Sequence, residues 1–388
     1  MDKTPTVLYL DCRPQDEVQR RKLDGICRYA TTHGWNVATL AQGECNPGAV
    51  AKFLSRVNVA GCIVECSDGV HNLPPRLFGK TPVVYLDPTD PIRWRHAMIV
   101  SCDDAAIVRA AFRELSAGLP SAYAVVSYWF EYRWARERVK VFRAYCREAG
   151  KACIVFPAHG DNEPKDICAA RLTKWVAALP PRCAIFAVND LTARGVAAAL
   201  AAAHRPVPRT ATLVGADGAD AGGESKPDTS ISSVKIDFEL AGFLAAKKLV
   251  EQPQSAASTS RNSAIFGPLL VVRRESTRGF GRNEPHVLQA VEIIRREACG
   301  GLTVSSLARR LPGTRRLLEL RFREAMGHSI LEEIQAVRLE KVCTLLAETD
   351  MPVSAISDSC GFNSSRTLRD LFQARMGVSM REFRRSRR

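Results

Sequence analysis

The sequence predicts an α/β architecture: a two-lobed, doubly wound region followed by an all-α domain with two helix-turn-helix motifs. Three observations carry that prediction. Residues 6 to about 275 alternate short apolar runs with amphipathic segments. From His286 onward the strand signals stop and only helical periodicity remains. Within that last stretch one pattern occurs twice.

The apolar runs are TVLYLD, NVATL, GCIVE, TPVVYLD, HAMIV, AYAVVS, KACIVF, CAIFAV, TLVGAD and SISSVKI. Near-continuous apolar strands separated by helical segments belong to parallel sheets covered on both faces. So many strands exceed one small sheet. Two lobes are expected, approximately 1–118 plus 236–277 and 119–235, with a cleft at the carboxyl ends of the strands. AIFGPLLVVRREST gives further strand-like runs broken at Gly-Pro. Residues 251–263 read as a polar surface loop and 278–285 as the linker that closes the 1–277 region.

Polar residues gather where the cleft should be. Asp103 and Asp104 follow a strand and open a helix, as do Asn189 and Asp190; Asp217 ends a strand. Trp134, Arg136 and Arg138 sit at the start of another helix. Each also reads as a helix cap or a surface ion pair. Together, carboxylates, an amide and guanidinium groups suit a polyol, whose hydroxyls both donate and accept. Trp134 or Trp129 could cover the apolar side of a sugar ring.

The segment 286–388 has 18 Lys+Arg against 12 Asp+Glu, and 17 of the 18 basic residues are Arg. The whole chain carries a net charge of +14, which points to a polyanionic partner. Thr303 can cap a helix with Val304, Leu307, Ala308 and Leu311 on its apolar face. Pro312-Gly313 turns the chain. Thr314 can cap a second helix, with Leu317, Leu318 and Phe322 inward and Arg315, Arg316, Arg321 and Arg323 outward. One long helix over 329–349 follows. The pattern then repeats: a short helix with Ile356, a turn at Cys360-Gly361-Phe362, and a helix capped by Asn363 or Ser364. Leu368, Leu371 and Phe372 face its core, and Ser365, Arg366 and Arg369 point away. Superposing LARRLPGTRRLLELRFREAMG on ISDSCGFNSSRTLRDLFQARMG aligns the Phe and the final Met-Gly.

The C-terminal hundred residues resemble the DNA-binding domain of the AraC/XylS family of transcription regulators, through LARRL, RLLELRF, RLEKVCTLL, ISDSCGF, LRDLFQARMGVS and REFRR. The resemblance implies recognition helices at 314–325 and 364–375. Their first turns, with Thr314, Arg315, Arg316, Asn363, Ser364, Ser365, Arg366 and Arg369, would meet bases or phosphates, and Arg321 would add a phosphate contact. One rigid helix between them would hold the two in major-groove segments about 10 bp apart.

Residues 6–275 resemble the sugar-sensing domain of LacI/GalR-type repressors, which share the periplasmic-binding-protein fold. FAVNDLTARGVAAAL, VPRTATLVGADG and GPLLVVRREST carry the likeness. It implies sugar contacts from Arg138, Asn189 or Asp190, and Asp217, with Asp103 and Asp104 lining the cleft. The loop after the first strand would add Asp11 and Arg20 or Arg21. The sensor-first order is similar to that of xylose-operon regulators. That likeness implies a double-stranded DNA operator, a monosaccharide effector with a pentose such as xylose favoured, a homodimer, activation and contact with RNA polymerase.

The residues weigh against other classes. There is no Gly-rich phosphate loop and no nucleophile elbow, so an enzyme is not expected. Thirteen Cys stand singly, with no CxxC pair and no His at ligand spacing, so no metal or other cofactor is expected. A sensor of thiol oxidants is the alternative those Cys leave open. The opening MDKTPTVLYLD does not read as a signal peptide and no apolar run reaches membrane-spanning length, so a cytoplasmic location is expected.

Overall fold

The computed structural model describes residues 4–11, 16–40, 46–66, 73–88, 97–127, 132–157, 164–218, 230–250, 263–277, 285–326 and 328–385. Trp129, the loop at 251–262 and the linker at 278–284 lie outside the described residues.

All ten apolar runs form strands. In chain order, β1 (Thr6–Leu10), β2 (Asn36–Thr39), β3 (Val59–Glu65), β4 (Val83–Leu86) and β5 (Met98–Cys102) build the first sheet. β6 (Ala122–Val126), β7 (Cys153–Val155), β8 (Cys183–Ala187), β9 (Ala211–Asp217) and β10 (Ser232–Ile236) build the second. AIFGPLLVV splits at Gly267: β11 (Ser263–Phe266) joins the first sheet and β12 (Pro268–Val272) the second. The sheet orders are β11-β5-β4-β3-β1-β2 and β12-β10-β9-β8-β6-β7. Every pairing is parallel except β10 with β12. β1, β6 and β8 are buried at every residue, which explains why they are apolar throughout rather than alternating, while the edge strands β2 and β11 are partly exposed.

The helices of this region are α1 (Glu17–Thr32), α2 (Pro47–Arg56), α3 (Asp104–Ser116), α4 (Arg133–Glu148), α5 (Lys165–Ala178), α6 (Asp190–Ala202) and α7 (Phe238–Lys248). α1 and α7 cross with their backbones nearly touching. A Cβ on Gly25 would lie 1.9 Å from the Glu239 carbonyl oxygen, and one on Gly242 would lie 1.8 Å from that of Lys22. Two glycines, each facing the other helix, are the condition for that crossing.

The chain passes between the sheets three times, at Asp103, Asp237 and Gly267. These strands are tied together: the Asp103 N–H donates to Phe266 O (2.7 Å) and the Asp237 N–H to Gly267 O (2.9 Å). α3 therefore follows a strand of the first sheet but packs on β8, β9, β10 and β12 of the second. The sequence-based lobe limits at 118/119 and 235/236 differ from this. They follow helix ends, whereas the crossings fall before α3, before α7 and at Gly267.

The remaining helices are α8 (Pro285–Glu297), α9 (Val304–Ala308), α10 (Arg315–Met326), α11 (Ile330–Glu348), α12 (Val353–Ser359), α13 (Ser365–Met376) and α14 (Met380–Arg385). Leu307, Leu311, Leu318 and Phe322 pack with Val287 and Ile294 of α8 and Ile334 of α11. Ile356, Phe362, Leu368 and Phe372 pack with Val342 of α11 and Phe383 of α14. The inward placement of Leu317 is corrected: it is 40% exposed. Leu318, Phe322 and Met326 already fill the inward stripe, and Leu317 lies about 100° round the helix from Leu318.

The helical domain is docked on the sheets through the far end of α3. Ala117, one residue past α3, belongs to the core of the first helix-turn-helix. Arg113 pairs with Glu333 (3.1 Å) and Glu340 (3.2 Å) of α11. Buried Glu114 accepts from Arg273 (2.8 Å), Arg295 of α8 (2.8 Å) and Thr277 (2.9 Å). Arg273 also donates to Glu340 (3.0 Å), and Lys247 of α7 pairs with Glu382 of α14.

Candidate functional site

Arg138 stands at the centre of the cleft. It is buried on α4. Its Nε donates to Asp104 Oδ1 (2.9 Å) and its Nη1 to Val188 O (2.7 Å), with Asp217 Oδ1 at 3.6 Å. Its guanidinium lies 4.8 Å over the Trp134 ring. Asp104 is the first residue of α3, Val188 follows β8 and Asp217 ends β9, so Arg138 ties three chain segments together.

The surrounding carboxyls are raised by burial. Asp217 is pushed up to about 7; Arg138 opposes the rise and neighbouring Asp190 adds to it. Asp87 is pushed up to about 6, partly offset by Lys22. Asp104 is raised too, again by burial, with Arg138 pulling the other way. Such shifts mark groups held out of water beside one another, as binding sites require.

Two arginines bridge the lobes. Arg21 on α1 donates to Asp217 O (3.1 Å) and Ile236 O (2.7 Å) on the second sheet. Arg133 on α4 donates to Pro88 O (2.9 Å) beyond β4 of the first. Beneath Arg21, Lys22 pairs with Glu65 (2.9 and 3.0 Å), and Tyr9 donates to Gln19 and Glu65.

The candidates from the sequence divide as follows. Asp104, Trp134, Arg138, Asp190 and Asp217 are gathered around one spot. Asp190 accepts from Ser233 Oγ (2.7 Å), and its carboxylate occupies the space over Gly215, where a Cβ would lie 2.2 Å from it. Asp103 and Asn189 act as caps, accepting from Ala106 N–H (2.8 Å) and Thr192 N–H (2.9 Å). Asp11 is buried at the carboxyl end of β1. Arg20 and Arg136 are both exposed. On α1 the inward stripe runs through Gln19, Lys22 and Ile26, which carries Arg20 to the outer face and leaves Arg21 to span the cleft. Arg136 lies about 200° from Arg138 on α4, on the outer face. Sequence reasoning missed Lys22, Glu65 and Asp87. For Asp87 the signal was present: TPVVYLD ends in Asp as TVLYLD and TLVGAD do.

In the helical domain, Thr303 and Ser306 form a capping box on α9. Thr314 accepts from Leu317 N–H (3.3 Å) at the start of α10. Ser364, not Asn363, caps α13, accepting from Thr367 N–H (3.1 Å). Arg315 is held by Glu319 (2.9 Å) and Ser305 (2.9 Å). Arg316, Arg321, Arg323, Asn363, Arg366 and Arg369 are exposed and Ser365 is half-buried. Arg366 comes within 4.0 Å of Asp370, with both side chains largely in solvent. Among the described residues, no group of His, Cys, Asp and Glu is placed to hold a metal, and no helix is long and apolar enough to cross a membrane.

Comparison with known proteins agrees with this fold. A helix-turn-helix domain family matches residues 307–386, and a periplasmic binding protein-like domain family matches residues 130–277. The xylose operon regulatory protein of Escherichia coli K12 is 29% identical over 296 residues, 74% of this chain and 73% of the relative. Its Haemophilus influenzae counterpart is 28% identical over 214 residues, 55% of each chain. The solved structure of the xylose-binding transcription activator XylR covers 98% of both chains at a TM-score of 0.58 and 24% identity. The lac repressor dimer bound to operator covers 71% of this chain and 94% of its own at a TM-score of 0.56 and 16% identity. The chain is a DNA-binding transcription regulator, not an enzyme. It carries a helix-turn-helix domain of AraC type behind a periplasmic-binding-protein-like domain, and among regulators of that build it is similar to the xylose operon regulatory proteins.

Proposed function

We propose that this chain is a homodimeric activator whose operator binding is set by a monosaccharide, a pentose such as xylose, held in the cleft around Arg138. The observation that carries the reading is the convergence of Asp104, Asp190, Asp217 and Arg138 where the two sheets meet. Those groups offer acceptors and donors at several angles, and Trp134 stands beside them, as a small polyol requires. Likeness to the E. coli xylose operon regulatory protein and to the xylose-binding activator XylR favours xylose. One hydroxymethyl group separates a pentose from a hexose, a difference worth about 1–3 kcal/mol in a fitted pocket.

Coupling to DNA runs along α3. Its first residue, Asp104, belongs to the cleft. Its last turn carries Arg113 and Glu114, which grip α11 and α8. The whole helix, 13 residues, spans about 20 Å. Sugar changes DNA binding only as far as it prefers one lobe arrangement over the other. That preference reorients α3, the helical domains of the two copies, and the surface offered to RNA polymerase. Thermal melting of the full chain against a sugar panel, followed by operator titration with and without the best sugar, tests this. Xylose is expected to raise the melting temperature and to change operator affinity. A panel in which no monosaccharide does either refutes the reading.

A further inference from the structure

The first recognition helix turns two leucines to solvent. Leu318, Phe322 and Met326 of α10 are buried, whereas Leu317 is 40% and Leu320 54% exposed. Turning 100° per residue puts Leu320 close to the point opposite the buried stripe, with Leu317 beside it. Arg316 and Arg321 are exposed next to them. An isolated surface leucine needs no explanation. Two on the outward face of a recognition helix, flanked by cations, mark a surface that meets something anionic with apolar spots. The second recognition helix is different: Arg366, Arg369, Asp370 and Gln373 occupy its outer positions, and all are polar.

In the DNA major groove the base edges offer hydrogen-bonding groups and a single apolar one, the thymine C5 methyl. We propose that Leu320, supported by Leu317, reads a thymine methyl in the half-site entered by α10. This rests on the chain being a sequence-specific DNA-binding regulator. Arg315 is already held by Glu319 and Ser305, so the outward part of this helix is left to Arg316, Arg321 and the leucines. The two half-sites are thus read by different chemistry: one adds apolar contact to hydrogen bonding, the other uses hydrogen bonding alone. Two copies of one recognition motif in a single chain then distinguish their half-sites and fix the direction in which the protein lies on DNA.

The test uses the full chain, with and without xylose. Duplexes are enriched from a random pool, and each thymine of the winning sequence is replaced in turn by deoxyuridine, which removes only the methyl. The expected result is an affinity loss of about fourfold at one or two positions in one half-site, the size of burying one methyl group. Leu320→Ala should bind the parent duplex more weakly and show no further loss at those positions. Because Leu320 is exposed, the variant should melt with the wild type. Uniform binding of all deoxyuridine duplexes, or an undiminished penalty in Leu320→Ala, overturns the proposal. The second outcome would assign the leucines to a protein partner instead. A pool that enriches no sequence refutes DNA reading by the chain as a whole, and the two failures are distinguishable.

Discussion

Replacing Glu114 with Gln should uncouple the cleft from the DNA-binding domain while leaving both in place. The buried Glu114 carboxylate accepts from Arg273, Arg295 and Thr277, which come from the strand after the last crossing, from α8 and from the segment between them. Gln keeps the volume and one acceptor but removes the charge. A hydrogen bond to a charged group contributes about 1.5–3 kcal/mol and a neutral one about 0.5–1.5. Two arginine contacts therefore lose about 1 kcal/mol each, or about 2 kcal/mol in all. Arg273 keeps Glu340 (3.0 Å), which limits the damage. Coupling energies between sites typically run about 1–3 kcal/mol, so a loss of this size is comparable with the whole effect. The assay pairs calorimetric xylose titration with operator titration in the presence and absence of xylose. Glu114→Gln should bind xylose as the wild type does, since Glu114 lies at the far end of α3 from the cleft. Its operator affinity should respond to xylose several-fold less. A full response in Glu114→Gln would refute the route through α3.

Arg138→Ala leaves the half-buried Asp104 and Asp217 without their cation; the sensor should lose about 3 kcal/mol in urea denaturation and its xylose-dependent melting shift. Gly242→Ala should destabilise by about 3 kcal/mol, because its Cβ would lie 1.8 Å from Lys22 O and force α1 off α7; a melt within a degree of wild type would contradict the crossing described here. Asp217, raised by burial to about 7 in the folded chain, binds its proton more tightly there than when unfolded, so the stability it contributes is complete below pH 4 and is lost as pH rises through 7. Asp217→Asn should flatten the sensor's stability–pH profile between those limits, and an unchanged slope would remove Asp217 from the buried cluster.

Much of the fold was legible because it rests on local patterns. Ten apolar runs became ten strands, since a short apolar run bounded by turns is recognised without partner information. The caps at Asp103, Asn189, Thr303 and Ser364 were legible for the same reason: an N-cap bonds within three residues of itself. The cleft was legible in part. An Asp after an apolar run marks a strand's carboxyl end, and that rule found Asp217 and would have found Asp87. Lys22 and Glu65 were not legible, because a buried ion pair joins residues 43 apart and either one alone reads as a surface charge. The lobe crossings were hidden by the same limit. That α3 leaves one sheet to cover the other depends on three strands meeting at Asp103, Asp237 and Gly267, and no window of sequence contains all three.

That crossing pattern also explains why one helix can serve two sites. A helix that packed on the sheet it had just left would move with that lobe, and its N-terminus would report nothing about the other. α3 leaves the first lobe at Asp103 and rides on the second, so its Asp104 end lies at the joint between them. Arg138, on the same second lobe, holds that end by a short charge-assisted bond. Arg21 and Arg133 close the joint with contacts to backbone carbonyls, which are weaker than contacts to carboxylates. On the proposed reading, a sugar hydroxyl competing for those carbonyls or carboxylates would shift the balance at the joint without unfolding either lobe. At the other end Glu333 is buried. Burial alone would raise its carboxyl, but Arg113 and His328 hold it down to about 2, so it stays charged and bound to Arg113 at neutral pH. The weak contacts thus lie at the joint between the lobes and the strong ones where α3 grips the helical domain, and on the proposed reading a helix of about 20 Å gripped in this way would carry small lobe rotations to the recognition helices.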